Sequence, residues 1–150
     1  MTKHHIGVIG GSGLYDLEGL EEIEERDIST PFGRPSDRVV SGVLGETRFY
    51  FLPRHGRGHG IPPNRINYRA NVLALKQAGA QQLVSVSAVG SLREHMHPGH
   101  LVFIDQFIDR TRARASSFFD EDGVVAHVEL ADPVDAALAN CLADAAEGVG

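Results

Sequence analysis

The sequence predicts an α/β protein built on a mixed, mostly parallel central sheet flanked by helices. Three observations predict it. Short apolar, β-branched runs recur along the chain, and segments of helical period with clear start and stop signals lie between and after them. The glycine- and proline-rich stretches fall where the apolar runs end. An order of strand, helix, strand needs a crossover connection, which goes with parallel pairing.

The elements follow in order. "HHIGVIG" is a short apolar run punctuated by glycine and reads as a buried strand. "DRVVSGVLGETRFYFLP" reads as two strands joined at Gly45-Glu46, because glycine at the first central position suits a tight hairpin turn. "RHGRGHGIPPN" carries three glycines and two prolines in eleven residues and can only be a loop. The spacing then predicts a helix over Asn64 to Ala78, ended by Gly79. "QQLVSVSAVG" and "HLVFIDQFID" read as two further buried strands. A last helix opens with Asp132 as its cap and Pro133 in its first position, and Asp135 favours its positive end. Its apolar positions, Val134, Ala137, Leu138, Cys141, Leu142, Ala145 and Val149, follow helical spacing, which puts Cys141 on the core face as a packing residue. No repeat, low-complexity tract or linker interrupts residues 1–150, so a single domain is expected.

Composition narrows the function. A single cysteine excludes an intrachain disulfide and a cysteine-based zinc site, and fits a reducing compartment. Nothing in the first 30 residues reads as a signal peptide, and no run approaches the roughly 20 apolar residues of a membrane span. A cytoplasmic protein without membrane partners is expected. The net charge of -6 argues against nucleic acid as a partner. From Thr47 to Arg93, however, there is no Asp or Glu, while Arg48, Arg54, Arg57, Arg65, Arg69, Lys76 and Arg93 all fall there. A cationic middle in an acidic chain points to a small anionic ligand.

"GVIGGSGLYD" is where a strand runs into a glycine turn with Ser12 at its apex. It is not a dinucleotide fingerprint, since Asp16 stands where GxGxxG needs its third glycine, and no lysine follows to make a P-loop. Such a turn can aim successive N–H groups at one anion without formal charge. Cations must then come from elsewhere, and Arg54 and His55, directly after "FYFL", would stand at a strand end where ligands of open α/β sheets collect. A third strand end, "SVSAVGS", offers the Ser87 hydroxyl and the N–H groups after it, Ala88 included. The rival is a metal site from His55 and His59 or from "HMHPGH". Gly56, Gly58 and Gly60 deny HxxxH the helix it needs, and solvated loop histidines with no metal are expected.

"GVIGGSGLYD", "FLPRHGRGHGIPPNRINYRAN", "SVSAVGSLRE" and "PGHLVFIDQFIDRT" together resemble the trimeric purine nucleoside phosphorylase family, over Ile6 to about Pro133. "SVSAVGSLRE" is most similar to the methylthioadenosine branch. The resemblance implies phosphorolysis of 5′-methylthioadenosine to adenine and 5-methylthioribose 1-phosphate, in purine and methionine salvage. Inorganic phosphate would be a co-substrate, with no metal or organic cofactor. By resemblance, Ser12, Arg54, His55, Ser87 and the backbone of Ala88 hold phosphate. His127, in "AHVELADP", reaches the 5′-substituent pocket of a neighbouring subunit in a homotrimer. The family's domain continues for about as long again, so the resemblance covers its N-terminal part and implies a sheet incomplete at the C-terminus. Two related activities stay open, a methylthioinosine and a general purine nucleoside phosphorylase, because the base-binding segments lie beyond the match. A nucleosidase, a dinucleotide-dependent oxidoreductase and a non-enzymatic phosphate-binding fragment are the rivals from other classes.

Overall fold

The computed structural model describes residues 2–11, 18–120 and 123–148. The chain forms two compact units, one of residues 1–88 with 115–118 and one of residues 89–114 with 119–150. The first holds a five-stranded sheet of β1 (His4–Gly10), β2 (Glu21–Arg26), β3 (Val39–Leu44), β4 (Thr47–Pro53) and β5 (Gln82–Ser85), in the order β2-β3-β4-β1-β5. The sheet is mixed. β2, β3 and β4 form an antiparallel meander, while β1 lies between β4 and β5 and pairs parallel with both.

Local chemistry explains most of these elements. Leu44 faces Thr47 across the Gly45-Glu46 turn, and Gly45 takes the positive φ, 59°, that a hairpin turn with glycine first requires. β2 is an acidic edge strand, "EEIEER", bulged between Glu21 and Glu24, with Glu22 at a φ of 50°. Charge and a bulge both blunt a sheet edge against pairing with another chain. This strand is absent from the sequence expectations because its residues carry no alternation of apolar and polar; its pairing with the buried strand β3 creates it.

Helix α1 (Tyr68–Ala78) begins four residues later than the spacing predicts. Pro63–Arg65 form a separate single turn, Ile66 is extended, and Asn67 supplies the cap by accepting from the Ala70 N–H at 3.1 Å. Gly79 ends the helix as expected, donating to the carbonyls of Leu75 and Lys76. The helix buries Ala70, Asn71, Ala74, Leu75 and Ala78. The core beneath it joins Ala74, Leu75 and Ala78 to Ile9, Val39, Tyr50 and Leu52, with Ile28 and Ala80 against its rim. Leu52 and Leu75 are each 1 % exposed, and full burial of such side chains contributes roughly 1.5 to 3 kcal/mol apiece.

Two strand expectations need correction. "QQLVSVSAVG" pairs only over Gln82–Ser85, and residues 100–109 form no strand. A strand exists by its ladder, and among the described residues no strand pairs with 100–109, whose Leu101, Phe103, Ile104 and Ile108 are exposed.

The second unit contains helix α2 (Ala136–Glu147). Asp135, not Asp132, caps it, through the Leu138 N–H at 3.0 Å, so Pro133 lies outside the helix. None of its described residues is buried, and Cys141 is exposed, not on a core face. Val149 falls outside the described residues. Periodicity identifies a face that can be buried; here Val134, Leu138 and Leu142 on that face are only partly buried.

Candidate active site

The parallel half of the sheet brings three strand ends to one edge, because β4, β1 and β5 are adjacent and point the same way. Backbone bonds carry the register past the strands themselves. The Arg54 N–H donates to the Gly10 carbonyl at 2.9 Å, and the Val86 N–H donates to the Ile9 carbonyl at 2.9 Å. The Arg54 guanidinium closes the group by donating from Nη1 to the Val86 carbonyl at 2.7 Å. Gly10 and Gly11, Arg54 and Val86 are therefore neighbours, and Ser87 and Ala88 follow directly after Val86, both exposed. Ser12 lies outside the described residues.

His55 is half-buried and its orientation is fixed. Nδ1 donates to the Ile61 carbonyl at 2.8 Å, which settles the tautomer and leaves Nε2 as the nitrogen available to a ligand. The ring also stacks on His59, with centroids 5.3 Å apart and planes 10° from parallel. Three residues of this loop adopt left-handed backbone, Gly56 at a φ of 68°, Gly58 at 75° and His59 at 56°. Glycine does so freely, whereas a histidine there carries backbone strain. The glycines therefore shape the loop that turns the chain back so that Ile61 meets His55. Among the described residues no cluster of three His, Cys, Asp or Glu side chains could hold a metal ion.

The run of cations between Thr47 and Arg93 is not a uniform anion trap. Arg48 pairs with Glu22 of β2. Arg57 donates to Glu25 at 2.7 Å from its guanidinium and to Asp37 at 2.8 Å from its backbone N–H. The Arg57 hydrogen bond holds the Glu25 carboxyl below the usual carboxylate range, and Arg38, 3.5 Å away, adds to it. Arg69 lies over the Phe32 ring, 4.6 Å from its centroid, and donates to the Ser117 carbonyl at 3.0 Å. Arg54 is distinguished by its place: its guanidinium meets a backbone carbonyl at the strand-end edge. Arg54, His55, Ser87 and Ala88, expected from the sequence at strand ends, do lie at this edge, whereas Asp37 and Glu25, which no local pattern links to the loop, were not expected. His127 is exposed and lies in the second unit, outside this group.

Three strand ends of the sheet thus bring an arginine held on a backbone carbonyl and a histidine of fixed orientation to one edge of an α/β fold. A family model described as the Phosphorylase superfamily matches residues 5–150, and the chain belongs to that superfamily. S-methyl-5'-thioadenosine phosphorylase of Geobacter sulfurreducens is 54% identical over 145 residues, which cover 97% of this chain and 51% of that one. The protein of the same name from Hyperthermus butylicus is 58% identical over 132 residues, 88% of this chain and 48% of that one. A crystal structure of methylthioadenosine phosphorylase from an antarctic soil metagenomic library superposes with a TM-score of 0.92 at 46% identity, covering 99% of this chain and 51% of that one. The methylthioadenosine phosphorylase of Schistosoma mansoni in complex with adenine gives 0.88 at 40% identity, covering 99% and 55%. The chain thus spans about half the length of the relatives it matches, and its mixed sheet is the corresponding part of the nucleoside phosphorylase fold.

Proposed function

We propose that the protein catalyses phosphorolysis of 5′-methylthioadenosine, giving adenine and 5-methylthioribose 1-phosphate. The observation that carries the reading is the junction of three parallel strand ends around the Arg54 guanidinium, with His55 beside it. The names of the relatives support the choice of substrate. Phosphate is held by Arg54 and His55, by the Ser87 hydroxyl and the Ala88 backbone, and by Ser12 from the glycine turn. Arginine suits this task because its planar fork matches two phosphate oxygens. A phosphate oxygen forms the new bond to the ribosyl C1′ as the bond from C1′ to the purine nitrogen breaks; the electron pair leaves with adenine, which takes up a proton.

An anionic nucleophile needs no general base, only position and exclusion of water against a cationic sugar. The chemistry therefore calls for no metal or organic cofactor. No described helix is long and apolar enough to cross a membrane, and the single cysteine fits a cytoplasmic setting. His127, remote in the chain from the phosphate group, contributes to a neighbour's 5′-substituent pocket in a homotrimer.

Product analysis with methylthioadenosine and methylthioinosine, each with and without phosphate, tests the reading. Adenine release that requires phosphate is the expected result. Release in water alone at the same rate means a nucleosidase, and preference for methylthioinosine reassigns the base. Arg54→Ala is expected to raise the phosphate KM by on the order of 30-fold or more, equivalent to about 2 kcal/mol for a lost charge pair. An unchanged phosphate KM in that variant removes Arg54 from the site.

A further inference from the structure

We propose that Asp37 and Arg57 are positioning residues that set the Arg54–His55 corner for the anion, an inference that rests on the phosphate assignment above. Arg57 sits within the cationic stretch, yet its guanidinium is turned to carboxylates. Nη2 donates to Glu25 Oε1 at 2.7 Å, and Nε is 3.7 Å from Asp37 Oδ1. Its backbone N–H donates to Asp37 Oδ2 at 2.8 Å. Asp37 is thus bonded both to the peptide that follows Gly56 and to the side chain beyond it.

Asp37 is itself held from the core. The neighbouring Ser36 N–H donates to Asn71 Oδ1 at 2.7 Å, and Asn71 Nδ2 donates to Ser36 Oγ at 3.0 Å. Asn71 belongs to α1 and is 0% exposed. The loop also lies close against this segment, since a Cβ on Gly56 would come within 3.1 Å of the Ser36 carbonyl oxygen. A continuous line of contacts therefore runs from the buried face of α1 through Ser36 and Asp37 to the Gly56–Arg57 peptide, one residue beyond His55.

Exposed ion pairs contribute little to stability, so the effect of this arrangement is sought in geometry. A loop with three glycines has much conformational freedom, and an anion that had to order it would bind more weakly. Fixing the loop in advance removes that penalty, and displacement of a binding group by about 1 Å is enough to weaken a site substantially.

The test measures binding of inorganic phosphate by calorimetry, together with KM for phosphate and for methylthioadenosine, in the protein and four variants. Asp37→Ala removes both the backbone and side-chain anchors and is expected to weaken phosphate about ten-fold. Arg57→Ala keeps the backbone bond and is expected to weaken it about three-fold, with the nucleoside KM within about two-fold in both. Asp37→Asn retains an oxygen for the Arg57 N–H and is expected to recover most of the affinity; with Arg57→Ala it carries the test if Asp37→Ala does not fold. Unchanged phosphate affinity in Arg57→Ala, and in Asp37→Ala where it folds, beside its loss in Arg54→Ala, overturns the inference. Equal loss of phosphate and nucleoside affinity also overturns it, as general damage to the fold would do. If Arg54→Ala itself leaves the phosphate titration unchanged, the phosphate assignment fails and the positioning role falls with it.

Discussion

Tyr50 and Gly79 illustrate how one residue pair can constrain the sheet and its helix together. Tyr50 is 3% exposed, and its hydroxyl lies 2.9 Å from His5 Nδ1 on the neighbouring strand β1. Gly79 ends α1 at a φ of 121°, and a Cβ there would come within 2.8 Å of the Tyr50 hydroxyl oxygen. Any side chain at this position meets two separate obstacles, backbone strain and the hydroxyl. We expect Gly79→Ala to destabilise the protein by about 2 to 3 kcal/mol in urea denaturation. In a Tyr50→Phe background the contact is relieved and the φ remains, so the added cost of Gly79→Ala should fall by about half while staying positive. A full cost in both backgrounds would mean that the backbone alone decides.

At the scale of elements, the best test is the attachment of the histidine loop to β2. The folded Glu25 carboxyl titrates below its ordinary value because Arg57 donates to it. Its contribution to stability is therefore present above the unfolded carboxylate value and is lost as pH falls through the folded one. We expect wild type to melt slightly above Glu25→Gln at neutral pH, with the difference closing as the pH is lowered through the carboxylate range. A difference independent of pH would show that packing, not charge, distinguishes the two. The elements also explain what the sequence could disclose. β1, the β3–β4 hairpin and α1 were legible because each carries its own signal, an apolar run, a glycine turn or helical spacing with a glycine stop. β2 was not, since its six residues are mostly acidic and take their conformation from β3. Residues 100–109 carried a strand signal but form no ladder, so apolar content alone misled. At the candidate site, the placement of Arg54 and His55 just past the end of β4 could be read because strand ends announce themselves. The Asp37 and Glu25 contacts to Arg57 could not, because 20 and 32 residues separate the partners.

For the whole molecule, the informative contrast is between its two units. The first has an apolar core and a five-stranded paired sheet; in the second, Leu92, Ile108 and Val125 are almost entirely exposed. Apolar surface of this extent generally marks a region that meets further polypeptide. His127 belongs to this second unit, and its proposed role requires a neighbouring subunit. Sedimentation at the mass of three chains is the expected result. His127→Ala should raise the KM for methylthioadenosine by about ten-fold, as for loss of one buried polar contact, and leave the phosphate KM unchanged. A monomeric active enzyme, or a variant whose phosphate KM shifts instead, would place His127 elsewhere.

The position of β1 has a consequence for how the chain comes to be folded. The antiparallel hairpin of β3 and β4 joins residues close in sequence and can form as soon as both are made. β1 is synthesised first, yet its partners are Thr47–Pro53 and Gln82–Ser85. Closure of such distant pairings is slow, and an unpaired apolar strand is exposed to association in the meantime. The ribosome therefore releases "HHIGVIG" long before the groove that receives it exists. Mutations that delay β5 would act first on the yield of soluble chain during translation, before any effect on the finished protein could be measured.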